Sequence, residues 1–241
     1  MDPVVAQQLI DLNRRFYEEQ AAAFAASRTA PLPGGERLLA YVPSDSALLD
    51  VGCGNAQLAV ALDRLGRRVR YVGVDSSRAL LMYARQATAA LSTVTARFLE
   101  LDVLAPGWTA AVPERPYAVV AALALFHHVP DRALRLNLLH DLASCVIPGG
   151  VLLLSTWQFL RSPRLRRRLV PWERVGLRAS DVGPEDYLLD WRRGGEGLRY
   201  CAWLDEARLR DLAETVGLTV VEMFTAGTER LNLCAVLRCP A

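Results

Sequence analysis

The sequence predicts an α/β fold built on a mostly parallel sheet whose last strand runs antiparallel, and three observations carry that expectation. Five short apolar runs recur between helical stretches: ALLDV (47–51), YVGVD (71–75), ARFLEL (96–101), YAVVAAL (117–123) and GVLLLS (150–155). Their continuous apolar character suits strands covered on both faces by crossover helices. Two further runs, LTVVEMFTA (218–226) and NLCAVLRC (232–239), are separated by the short connector GTER, which permits a hairpin and is too short for a parallel crossover. Finally, LLDVGCGNAQLAVAL (48–62) passes from an apolar run through two glycines into an Ala/Leu-rich segment. That is a strand, a tight turn and a helix, with bare backbone at the carboxyl edge of the sheet.

Composition bounds the rest. A chain of 241 residues, 52% of them hydrophobic, can bury one large core, so residues 1–241 are expected to form a single elaborated domain. The net charge of +2 announces no whole-molecule attraction to nucleic acid. All 28 basic residues are arginine and none is lysine, a bias that genome composition alone can produce. Five cysteines without a CxxC pair argue against a disulfide framework or a zinc site, so no metal is expected, and they fit a reducing cytoplasm. The apolar stretch at the start of the chain is too short for a signal peptide or membrane span. The expectation is a cytoplasmic protein without a membrane partner.

Two segments lie outside the strand and helix alternation. Residues 1–40 are expected to form a helical cap, because Tyr17, Phe24 and Arg28 recur near one helix face ahead of the first strand. In residues 160–199 the periodicity fades, first into LRSPRLRRRLVPWERVGLR, with seven arginines against one glutamate, then into VGPEDYLLDWRRGGEGLR. A connection this long is usually functional or mobile. It reads either as a solvated surface insertion or as a cover over the substrate side of the carboxyl edge.

The chemistry starts at Gly52 and Gly54. A dinucleotide fingerprint needs a third glycine where Gln57 stands, so the glycine pair alone is a weak signal. Asp75 ends the second strand about twenty residues on, where an acid suits ribose hydroxyls, and Asp102 follows the third. Each aspartate alone could be a cap or turn former. Together with the glycine turn they describe a pocket for a nucleoside with a positive centre, as in S-adenosylmethionine, because a pyrophosphate would ask for cationic or amide donors there.

These residues resemble the class I S-adenosylmethionine-dependent methyltransferases. LLDVGCGNAQ looks like their first motif, YVGVDSS their acidic second, ELDV the third, and ALALFHHVPD with LASCVIPGG the fourth and fifth. The resemblance implies a Rossmann-like three-layer sandwich with a seven-stranded sheet. It also implies a cofactor site drawn from Tyr17, Arg28, Asp50, Gly52, Cys53, Gly54, Asn55, Asp75, Ser76, Asp102, Val103 and Leu123. Here Asp75 would hold the ribose, and Asp102 with the Val103 amide would face adenine. Cys53, with no base assigned to it, reads as a packing residue.

A narrower resemblance is to the tRNA wobble-uridine carboxymethyl methyltransferases, carried by Tyr17, Ala21, Phe24 and Arg28 in FYEEQAAAFAASRTAPLPG, by Asn55, by Trp157 after the fifth strand, and by EDYLLDW ending at Trp191. The chain departs from that pattern at Leu32, Cys201 and Ala202. The resemblance implies tRNA as partner, and the need for a small activating partner protein stays open. Arg28, Arg192 and Arg199 are then candidates for a carboxylate clamp, and Arg166, Arg167 and Arg168 for RNA contacts. His127 and His128 follow the fourth strand. One of them, His128 above all, could be a general base, or both could pack and fix the loop. A carboxylate acceptor would need no base, being ionised at neutral pH. Three function classes stay open at this point: methylation of a modified tRNA uridine, methylation of a small molecule, and a cofactor-binding scaffold.

Overall fold

The computed structural model describes residues 1–28, 30–192 and 196–240. Strands β1 (Ser46–Val51), β2 (Val69–Asp75), β3 (Val94–Glu100), β4 (Tyr117–Leu123) and β5 (Val146–Trp157) are joined by β9 (Thr219–Ala226) and β10 (Asn232–Arg238) in one sheet of order β3-β2-β1-β4-β5-β10-β9. The first five pair in parallel, and β10 is antiparallel to both β5 and β9. This is the Rossmann-like, seven-stranded arrangement expected, with the short 227–231 connector closing the predicted hairpin.

Alternation along the strands builds the two faces. Leu48 and Tyr71 pack with α3 (Gly35–Leu39), α4 (Gln57–Arg64) and α5 (Arg78–Thr88) on one side, while Leu49, Val51 and Val72 pack with α6 (Arg132–Ser144) and α8 (Glu206–Thr215) on the other. Helix starts are fixed by side-chain caps: Asp2 accepts from the Val4 amide, Ser77 from Leu80 and Asp205 from Arg208.

Residues 1–40 hold three helices: α1 (Pro3–Glu19), α2 (Ala21–Ala26) and α3. The third is part of the sandwich, since Leu38 and Leu39 are buried in its core. The stretch where periodicity fades is also more ordered than its sequence suggests. It carries α7 (Pro163–Arg166) and a small antiparallel sheet of β6 (Leu169–Val170), β7 (Asp186–Trp191) and β8 (Gly197–Ala202), so it runs past residue 199. Strand β8 packs along α1. Among the described residues no helix is long and apolar enough to cross a membrane.

Candidate active site

The carboxyl ends of β1, β2, β4 and β5 open into a cavity of about 480 Å³ whose wall is completed by α1, α2, residues 164–168 and 189–191, and Arg199. Its floor is the β1–α4 turn. Gly52 and Gly54 hold φ of 73° and 53°, a region that glycine enters without the clash of a side chain. A Cβ at Gly52 would also press on Leu125 at 3.2 Å.

Asp75 stands at the end of β2 with each oxygen held by a backbone amide, from Gly54 at 2.9 Å and Ser77 at 2.9 Å. Burial raises its pKa, and those amides work in the opposite direction. A carboxylate fixed from behind in this way keeps lone pairs for two vicinal hydroxyls. Deeper in, the buried Asp50 accepts from the Tyr71 hydroxyl at 2.5 Å, and desolvation pushes its pKa up to about 7. Burial likewise raises the Cys53 thiol, which packs against the Gly73 backbone. Asp102 accepts from the Leu104 amide and meets the Arg14 guanidinium at 2.8 Å. Asn55, Ser76, Val103 and Leu123 complete this half of the lining, and Arg28 reaches it from the α2 end, its guanidinium 4.5 Å from the Phe24 ring. All twelve residues expected at the cofactor therefore border one cavity. The donor set fits a cationic nucleoside: acidic groups at three strand ends, a bare turn and, among the described residues, no cluster of cations over the glycines.

The other half is aromatic and cationic. The His128 Nδ1 lies 3.0 Å from the Tyr200 carbonyl and its Nε2 2.6 Å from the Tyr17 hydroxyl. Since a carbonyl only accepts, the neutral ring carries its proton on Nδ1, and Tyr17 donates to Nε2. Burial, reinforced by the nearby Arg199 charge, lowers the His128 pKa to about 3, so the ring is neutral at physiological pH and a weak base. His127 is buried and held neutral by desolvation, its Nδ1 accepting from the Trp157 amide at 3.3 Å. His127, His128 and Cys201 lie close enough to share a metal ion. However, both His128 nitrogens are engaged, and the Arg199 charge beside them opposes a second cation.

Trp157, Trp191, Arg168 and Arg199 line this half; Arg166, Arg167 and Arg192 do not. The single turn of α7 explains the split, because residues four apart share a face. Arg164 on α7 and Arg168 just beyond its end line the cavity, whereas Arg166 and Arg167 are exposed and do not line it. Arg192 is exposed and paired with Asp190 at 2.6 Å. Sequence reasoning missed Asn13, Arg14 and Arg164. The first two were within reach, because Ile10, Asn13, Arg14 and Tyr17, all on the lining, recur at the i, i+3, i+4, i+7 spacing of one helix face.

A Rossmann-like sheet with a nucleoside-shaped cavity across its carboxyl edge defines an α/β protein that binds a nucleotide-derived cofactor. A family model described as a methyltransferase domain matches residues 17–223. The chain belongs to that family and is an S-adenosylmethionine-dependent methyltransferase. Similar proteins include the trans-aconitate 2-methyltransferase of Azoarcus sp., 34% identical over 69% of this chain and 62% of that one, and the tRNA (carboxymethyluridine(34)-5-O)-methyltransferase of Schizosaccharomyces pombe, 23% identical over 73% and 65%. The aligned regions cover less than two thirds of either relative. A SAM-dependent methyltransferase of Methanosarcina mazei shares the fold, with TM-score 0.66 at 16% identity over 85% of this chain and 97% of that one.

Proposed function

We propose that the chain methylates a carboxylate oxygen, and that the carboxylate is the carboxymethyl group of a modified wobble uridine in tRNA. The observation that carries this reading is the state of the acceptor half. The imidazole nearest to it is held near pKa 3, too weak to deprotonate a hydroxyl or ammonium acceptor, while arginines surround the space an acceptor would enter. A carboxylate needs no base. The cofactor supplies an electrophilic methyl, and the electrons of its carbon–sulfur bond remain on sulfur as the sulfonium becomes a thioether.

In this reading Asp75 takes the ribose hydroxyls, Asp102 and the Val103 amide meet adenine, and Asp50 faces the cationic end. Tyr17, seated between α1 and His128, closes the wall beside the methyl. Holding the two reactants in line can supply about 7–11 kcal/mol in well-oriented systems. Support for tRNA comes from the relative named for carboxymethyluridine and from the arginines on and around α7. Arg37, Arg68 and Arg132 pair with acids, but none of Arg161, Arg164, Arg166, Arg167 and Arg168 forms an ion pair among the described residues.

A small carboxylic acid is the second reading, favoured by the relative named for trans-aconitate. Incubation with methyl-labelled cofactor and, in parallel, total small RNA and a metabolite extract separates the two. Label in RNA is expected, and label confined to metabolites would contradict the tRNA assignment.

A further inference from the structure

Two arginines are buried among the described residues, and they are held in opposite ways. Arg135, on α6, is fully provided for. Its Nε donates to the Val129 carbonyl at 2.8 Å and its Nη2 to the Tyr200 hydroxyl at 3.0 Å, with Glu185 and Asp186 at 3.4 and 3.5 Å as counter-ions. Arg199, on β8, is 7% exposed and has no acid within ion-pair distance among the described residues, and its Nε finds no hydrogen-bond partner. Its guanidinium carbon instead lies 4.6 Å from the ring of Trp157, 5.0 Å from Trp191 and 5.5 Å from Phe16.

Aromatic rings attract the charge, but they offer no in-plane acceptor for an N–H. The Tyr17 hydroxyl is the polar side chain beside this guanidinium, and with its Nε unpaired and no counter-ion among the described residues the buried charge is unfavourable unless an anion completes it. The cavity offers such an anion an approach, since Arg199, Trp157 and Trp191 all line it. The strand carrying Arg199 is pinned from the opposite side. Asn13 of α1 accepts from the Tyr200 amide at 2.9 Å and donates to its carbonyl at 3.1 Å, so the arginine next to Tyr200 has a fixed root.

We propose that Arg199 is the receptor for the carboxylate of the acceptor, and that the rings of Phe16, Trp157 and Trp191 make it selective for a carboxylate carried on a flat ring. Planar guanidinium and planar carboxylate match through two parallel hydrogen bonds, a geometry that a lysine ammonium lacks. The aromatic walls accept the ring that bears the acid. The proposal rests on the reading of the acceptor as a carboxylate, and it assigns the residue that recognises it.

The test is equilibrium binding, read by tryptophan fluorescence and calorimetry with S-adenosylhomocysteine present. Two acid and amide pairs serve as probes: 5-carboxymethyluridine with 5-carbamoylmethyluridine, and phenylacetate with phenylacetamide. The expected result is that the full chain prefers each acid by about tenfold or more, as the loss of a charge-assisted bond predicts. Arg199→Gln should erase the preference, and Arg199→Lys should recover little of it despite its charge. Affinity for S-adenosylhomocysteine should stay unchanged in both, which also reports that they fold. An acid preference that survives in Arg199→Gln, or its absence in the unmodified chain, would overturn the proposal. If phenylacetate obeys the expectation while the nucleoside does not bind, the receptor stands and the tRNA reading falls. Methyl ester formation by Arg199→Gln at the normal KM would leave carboxylate methylation standing and remove Arg199 from recognition.

Discussion

At the scale of single residues, the two aspartates of the cofactor half have separable signatures. Asp75 is anchored by the Gly54 and Ser77 amides, so Asp75→Ala removes the outward acceptor together with the acceptor of those two amides. Losing a charge-assisted hydrogen bond costs about 1.5–3 kcal/mol, and calorimetry should show cofactor affinity lowered roughly ten- to hundredfold. Unchanged affinity would take Asp75 out of the site. Asp50 behaves differently, because burial raises it from 3.8 to about 7. A raised acid holds more protons folded than unfolded, so its contribution to stability declines as pH climbs from about 4 to about 7 and levels off above that. A cationic cofactor favours the ionised form. Its affinity is therefore expected to rise as pH passes through about 7, with Asp50→Asn flattening the titration. A wild-type binding curve that is flat across this range would refute the pairing of Asp50 with the cationic end.

Secondary-structure elements carry the next tier, and here α1 joins what the chain order keeps apart. Arg14 reaches Asp102, Tyr17 reaches His128, and Asn13 holds β8. Hydrogen exchange across residues 10–17 should slow when S-adenosylhomocysteine binds, whereas unaltered exchange would mean that the helix is indifferent to the ligand. Replacing Asn13 with Ala strands the buried Tyr200 amide, while the Tyr200 carbonyl keeps His128. Stability should fall by about 1–3 kcal/mol, seen as a lowering of Tm by several degrees. The sandwich strands were legible because a buried parallel strand announces itself as a short apolar run, and the site acids because each ends such a run. The insertion was not. Strands β7 and β8 form a small sheet whose apolar pattern is diluted by the Arg- and Gly-rich sequence WRRGGEG, and the arginines on and just after α7 differ only in their place around a short helical stretch. No composition rule separates Arg168 from Arg167. The structure does so by placing only the former on the cavity.

For the molecule as a whole, charge placement matters more than the net value of +2. Arg166 at the end of α7 and Arg167 just beyond it are exposed and lie outside the cavity, so in the proposed reading they would meet phosphates rather than the acceptor. Replacing Arg166 and Arg167 with Gln should weaken RNA binding and reduce the salt slope by about 1.4, at roughly 0.7 per single-strand phosphate contact. Cofactor binding should not change. An unaltered salt slope would place the RNA elsewhere. The central claim, that the methyl lands on a carboxylate oxygen, is tested most directly by the chemistry of the product. After transfer from methyl-labelled cofactor to small RNA, mild alkali should release the label as volatile methanol, because an ester hydrolyses where methyl groups on nitrogen, carbon or an ether oxygen do not. Label that stays with the RNA after alkali would contradict the account.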